Sequence, residues 1–160
     1  MLYNIRNIFS CIKFGSENMV NSIKSKNQIS IDNYTFLKPV KFVECPIHAN
    51  NSVKLVNSQD DIIIFASMFE RDGNYCKESY DLISKNAKKN SDSKLLSKKS
   101  FIKHNTRIYN IFIKKAKHYE SVYLVFKENR TFRFTFIINK RIDNTINIFE
   151  KILKTIKTNT

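Results

Sequence analysis

Residues 106–157 place three alternating segments directly ahead of one amphipathic helix, and that order constrains the chain more than anything else in it. The segments are RIYNIFIKKAK (107–117), YESVYLVFK (119–127) and RTFRFTFIIN (130–139), followed by RIDNTINIFEKILKTIK (141–157). Apolar residues recur every second position in the first three and at helical spacing in the last. Residues 61–70 add a strand that is apolar on both sides. Ile62, Ile64, Ala66 and Met68 point one way, Ile63, Phe65 and Phe69 the other. Residues 107–113 behave alike, with Tyr109, Ile111 and Ile113 opposite Ile108 and Phe112. Such strands need a covering layer on each face. The predicted fold class is therefore α+β: an antiparallel β-sheet with helices packed on both faces, an α-β-α sandwich.

The other elements follow from the same patterns. Ile29 and Ile31, then Tyr34 and Phe36, flank an Asp32-Asn33 turn. Residues 40–44 form another strand, and Cys45-Pro46 through Ser52 a loop. Residues 53–57 and 61–70 make a hairpin across Ser58-Gln59-Asp60. A helix over 74–89 shows one stripe of Cys76, Tyr80, Ile83 and Ala87, with an Asp81–Lys85 pair one turn apart. Residues 85–104 read as a helix end followed by a polar loop. In the last helix Ile142, Ile146, Phe149, Ile152, Leu153 and Ile156 trace one face, and Asn139 or Asp143 stands where a cap is expected. Ahead of these, Leu2, Ile5, Phe9 and Ile12 give an amphipathic N-terminal helix over residues 1–15, then a linker over 16–27. Residues 28–160 make a single α+β domain.

The 119–139 hairpin yields a register. A two-residue loop at Glu128-Asn129 would set Phe126 against Thr131 and Leu124 against Arg133. An odd-length loop pairs Phe126 with Phe132, Leu124 with Phe134 and Val122 with Phe136. One residue of slip moves an apolar set to the other face, so the odd-length loop is expected. Tyr123, Val125, Lys127, Arg133 and Thr135 then share the semi-polar face.

The 28 basic and 14 acidic residues give a net charge of +14, which suggests nucleic acid or an anionic membrane as partner. There are 22 Lys, 19 Asn and 22 Ile but only 6 Arg. Lys, Asn and Ile share codons built from A and T alone, so biased base composition explains the charge equally well. Arg, the better phosphate fork, is scarce. The surplus is nevertheless uneven: +1 over residues 1–73, +9 over 74–118 and +4 over 119–160. Lys98, Lys99 and Lys103 in the middle region, with Tyr123, Lys127 and Arg133 on the sheet, form the candidate interaction surface.

Catalytic signatures are missing. Two glycines, Gly15 and Gly73, exclude a Gly-rich phosphate loop. Asp60 and Asp61 are neighbours on opposite faces of a strand. Cys76 sits near a helix start but on its apolar stripe, as a core residue would. Cys11, Cys45 and Cys76 are widely spaced and odd in number, which favours a reducing compartment. His48, His104 and His118 lack ligand spacing. The expectation is a non-enzyme without cofactor or metal, located in the cytoplasm. Polar Asn4, Arg6 and Asn7 interrupt any leader-like stretch. Peripheral membrane contact through residues 1–15 is the alternative placement, and lipidation of Cys11 is left undecided.

The strand Asp32-Asn33-Tyr34-Thr35-Phe36-Leu37-Lys38-Pro39 resembles the opening of PsbP-like and DcrB-like domains, which start with a glycine-aromatic-small-aromatic strand ending in proline. Asn33 stands where glycine is usual, and Asn also tolerates a left-handed turn. The order of elements over about residues 28–157 is similar too. The resemblance implies an antiparallel sheet between helices and a non-enzymatic accessory or protein-binding role, since such domains assist larger assemblies. It carries no catalytic residues. The alternative function is a basic nucleic-acid-binding domain using residues 85–117 and the Arg133 face.

Overall fold

The computed structural model describes residues 27–140 and 145–159. The predicted N-terminal helix, nearly all of the linker, Cys11, Ile142 and Asp143 lie outside them. The strands are β1 (Gln28–Ile31), β2 (Tyr34–Leu37), β3 (Val43–Cys45), β4 (Ser52–Asn57), β5 (Ile62–Phe69), β6 (Ser93–Lys103), β7 (Thr106–Lys115), β8 (Tyr119–Lys127), β9 (Arg130–Ile138) and β10 (Lys157–Thr158). Helix α1 spans Gly73–Lys89 and α2 spans Thr145–Thr155. A seven-stranded sheet runs β3-β4-β5-β9-β8-β7-β6, and a small sheet runs β1-β2-β10. All pairings are antiparallel.

The two-sided strands behave as their pattern demands. From β5, Ile62, Ile64, Ala66 and Met68 enter the main core with Ile108, Phe132, Phe134 and Phe136. The same core takes Ile29, Ile31 and Phe36 of the small sheet and Phe149, Ile152 and Leu153 of α2. From β7 and β8, Ile111, Ile113, Val122 and Leu124 form a second core with Cys76, Tyr80 and Ala87 of α1. The described members of both expected stripes are buried, with Ile83 and Ile146 half-buried at their margins and Ile156 just past the end of α2. Burial of the main-core face supplies most of the drive to fold.

The fold class holds in its coarser form, α+β with antiparallel sheets. A full helical layer on each face is more than the described residues provide. On the first face α2 shares the covering role with the small sheet. On the other, Val56, Ile63 and Cys45 form a separate small cluster with Phe65 and Ile137.

Helix α1 begins where Asp72 can cap it: the carboxylate accepts from Asn74 N at 3.0 Å and Tyr75 N at 3.3 Å. The buried Thr131 hydroxyl lies 3.1 Å from Arg71 O and 3.0 Å from Asp72 O, tying this start to β9. In the β4–β5 turn, Asn57 Oδ1 accepts from Gln59 N and Asp60 N, while its amide donates to Asp60 Oδ2 at 2.8 Å. Asp60 is thereby a turn-builder.

Three expectations need correction. The β8–β9 hairpin has the two-residue loop: Lys127 faces Arg130, Phe126 faces Thr131, Leu124 faces Arg133 and Tyr123 faces Phe134. Glu128 and Asn129 both take positive φ, 51° and 60°, as a two-residue turn matching strand twist requires. The apolar argument failed because β8 is buried on both sides from Val122 through Val125, so either register covers apolar side chains. Secondly, residues 93–103 form strand β6 rather than a polar loop. It joins β7 through His104 and Asn105, again both at positive φ. Thirdly, the strand expected over 40–44 starts only at Val43, after Lys41 at φ 70°.

Candidate functional site

The structure divides the six residues proposed as an interaction surface between the two faces of the sheet. Tyr123 is a core residue, 2% exposed. It projects beneath α2, where its ring stacks on Phe149 and its hydroxyl lies 3.1 Å from Thr145 Oγ1. Burial pushes its phenol pKa up. Lys127 projects from the same face and its ammonium donates to Leu153 O, among the last carbonyls of α2. Burial pulls its pKa down. Arg133 shares a face with Leu124, the opposite side of the sheet, where its Nε donates to Thr135 Oγ1 at 3.3 Å. The one-residue change of register separates it from Tyr123 and Lys127.

The three β6 lysines divide likewise. Lys98 faces α1, with Nζ 2.6 Å from Asp81 Oδ1 and 4.3 Å from the Tyr80 ring centroid. That contact holds the Asp81 carboxyl below its ordinary pKa. Lys103 reaches the other way to Glu150 of α2, at 3.1 Å. Lys99 is exposed and has no ion pair among the described residues.

Lys99 does border a feature that was not visible in the sequence. A cleft of about 230 Å³ opens between α2 and the β6–β8 end of the sheet. Its polar floor is Asn110, whose amide donates to Ser121 Oγ at 3.1 Å and Val122 O at 3.2 Å. Phe101, Phe112 and Ile146 make the apolar wall, and Phe112 stacks on Tyr119 with centroids 5.7 Å apart. These residues come from four elements, so only the β6–β7–β8 register and the seat of α2 bring them together. A larger open hollow of about 500 Å³ lies by Asn50, Asn51, Met68 and Arg71.

Cys76 is buried with Sγ 3.6 Å from Thr131 Oγ1, and burial raises its thiol pKa, the setting of an unreactive thiol. Among the described residues, no cluster of three or more His, Cys, Asp or Glu side chains could hold a metal ion. No described helix is long and apolar enough to cross a membrane.

No family model matches the chain, and no curated protein matches it by sequence. Its fold does have solved counterparts. The solution structure of cyanobacterial PsbP (CyanoP) from Synechocystis sp. PCC 6803 matches with a TM-score of 0.55, covering 90% of this chain and 99% of that one at 9% identity. A Bacteroides thetaiotaomicron protein matches at TM-score 0.45 and 15% identity, over 80% of this chain and 46% of its own. The chain has a PsbP-like fold, as its opening strand and order of elements imply.

Proposed function

We propose that this chain is a non-enzymatic accessory module that binds protein. The carrying observation is the PsbP-like fold over nearly the whole chain, because domains of that kind assist larger assemblies. The placement of the titratable groups fits. Buried Cys76 and Tyr123 are spent in packing, and Asp60 in a turn. Lys98, Lys103 and Lys127 are each engaged within the fold, which weighs against a continuous phosphate-binding strip of the kind counterion release needs. A cytoplasmic location is part of the proposal, with peripheral membrane contact through residues 1–15 as the alternative.

The test is in-cell cross-linking of the tagged full chain, followed by nuclease treatment, fractionation and mass spectrometry. A single protein recovered reproducibly from the soluble fraction after nuclease supports the reading. Nuclease-sensitive recovery, with salt-dependent binding of mixed DNA or RNA by the purified chain, would replace it with the nucleic-acid alternative.

A further inference from the structure

Strand β6 is long for an edge strand. It runs eleven residues, Ser93–Lys103, and closes one end of the seven-stranded sheet, where among the described residues it pairs with β7 alone. The opposite edge, β3, has three residues. The outer backbone groups of an edge strand are a template for another chain. Strand β6 contains no proline and bears a bulge between Leu95 and Ser97.

Four lysines mark this edge: Lys94, Lys98, Lys99 and Lys103. Lysines on an edge ordinarily oppose aggregation. A second copy added antiparallel about the Lys98–Lys99 midpoint would set Lys98 against Lys99 and Lys94 against Lys103, each a like-charge cross-strand pair. Lys98 and Lys103 already meet Asp81 and Glu150, which leaves exposed Lys94 and Lys99 to pair with carboxylates on a different strand.

The cleft supplies a second, independent feature. Ser97, Lys99 and Phe101 line it, and they share one face of β6 because they pair with Phe112, Asn110 and Ile108 of the main-core side. Alternate side chains of an added strand would stand over that face. The residue opposite Phe101 would stand against the Phe101 ring, which lines the cleft.

We infer that β6 is a docking edge for an extended acidic segment of a partner protein, in which one apolar side chain packs on Phe101 beside the cleft, between carboxylates two residues to either side. One carboxylate lies opposite exposed Lys99 and the other opposite Lys103, where it shares the ammonium with Glu150. This deepens the protein-binding reading and rests on it.

The test uses isotope-labelled full chain and two short fluorescent peptides. One carries Glu-Thr-Leu-Thr-Glu at its centre, and the other has Lys in place of both Glu. Expected is at least about tenfold tighter binding of the acidic peptide, weakened by salt, with amide shifts along residues 93–103. Lys99→Glu reverses the preference, whereas Lys88→Glu, on the exposed surface of α1, leaves it intact. Equal binding of both peptides, no acidic binding at millimolar peptide, shifts confined to other strands, or an unchanged preference in Lys99→Glu would overturn the inference. So would displacement of signals from residues 1–26, or dimerisation through β6, since either names another occupant. A protein cross-linked equally by the native chain and Lys99→Glu would remove the edge while leaving the protein-binding reading in place.

Discussion

The Tyr123 ring lies on Phe149 with centroids 4.3 Å apart and planes 10° from parallel, and Phe134 meets Phe149 edge-on at 5.5 Å. This triad fastens α2 to the centre of the sheet. Phe149→Ala should cost about 3–5 kcal/mol, for lost transfer energy and the cavity left behind. Tyr123→Phe should cost about 1–3 kcal/mol, because it leaves the buried Thr145 hydroxyl without its partner. Urea unfolding of the two variants checks both values. A Tyr123→Phe chain as stable as the native one would contradict the packing described.

At the β8–β9 turn, Glu128 is a long L-residue held at φ 51°. The left-handed region costs an ordinary residue about 1–2 kcal/mol and Asn less. Glu128→Asn should therefore raise stability by about 0.5 kcal/mol, and Glu128→Val should lower it by about 1–2 kcal/mol. Neither change removes the Tyr34 hydroxyl bond at 3.1 Å, which ends on the Glu128 carbonyl. Thermal melts would read the opposite signs.

Helix α1 starts at a single capping carboxylate. Asp72→Ala should cost about 1 kcal/mol, while Asp72→Asn, which keeps the accepting oxygen, costs a few tenths. Hydrogen exchange should show faster opening at Asn74 and Tyr75 in the alanine variant alone. Protection left unchanged there would dismiss the cap.

The depressed pKa of Lys127 sets a pH dependence whose sign is opposite to that of a paired lysine. Burial disfavours its charged form in the folded state. Between its folded and unfolded pKa values Lys127 binds more proton in the unfolded chain, so its own contribution to stability rises with pH. It runs against the falling contributions of buried Cys76 and Tyr123, whose pKa values are raised. Lys127→Met should therefore steepen the alkaline loss of stability relative to the native chain, and Lys85→Met, on the exposed surface of α1, should leave it unchanged. Melting temperatures across the alkaline limb decide the matter.

Much of the fold was legible because local pattern carried it. The Cys76–Tyr80–Ala87 stripe and the Phe149–Ile152–Leu153 face could be read without any tertiary knowledge, since a helix repeats its buried face at fixed spacing. The two-sided burial of β5 and β7 was equally readable from period two. Far less of the site was accessible. Strand β6 escaped notice because an edge strand is held by backbone hydrogen bonds to one neighbour. Its Lys- and Ser-rich surface therefore carries no apolar alternation and looks like a loop.

The sequence by itself determined the order of strands and helices apart from β6 and β10, and most of the core, because both follow from burying apolar side chains at the period of each element. The tertiary structure decided the register of β8 on β9 and therefore which residues share a face. With Val122, Tyr123, Leu124 and Val125 all buried, hydrophobicity could not choose between registers. The choice fell to the two-residue turn at Glu128-Asn129 and to α2 and α1 covering opposite sides of β8. That one choice put Tyr123 into the core and separated it from Arg133.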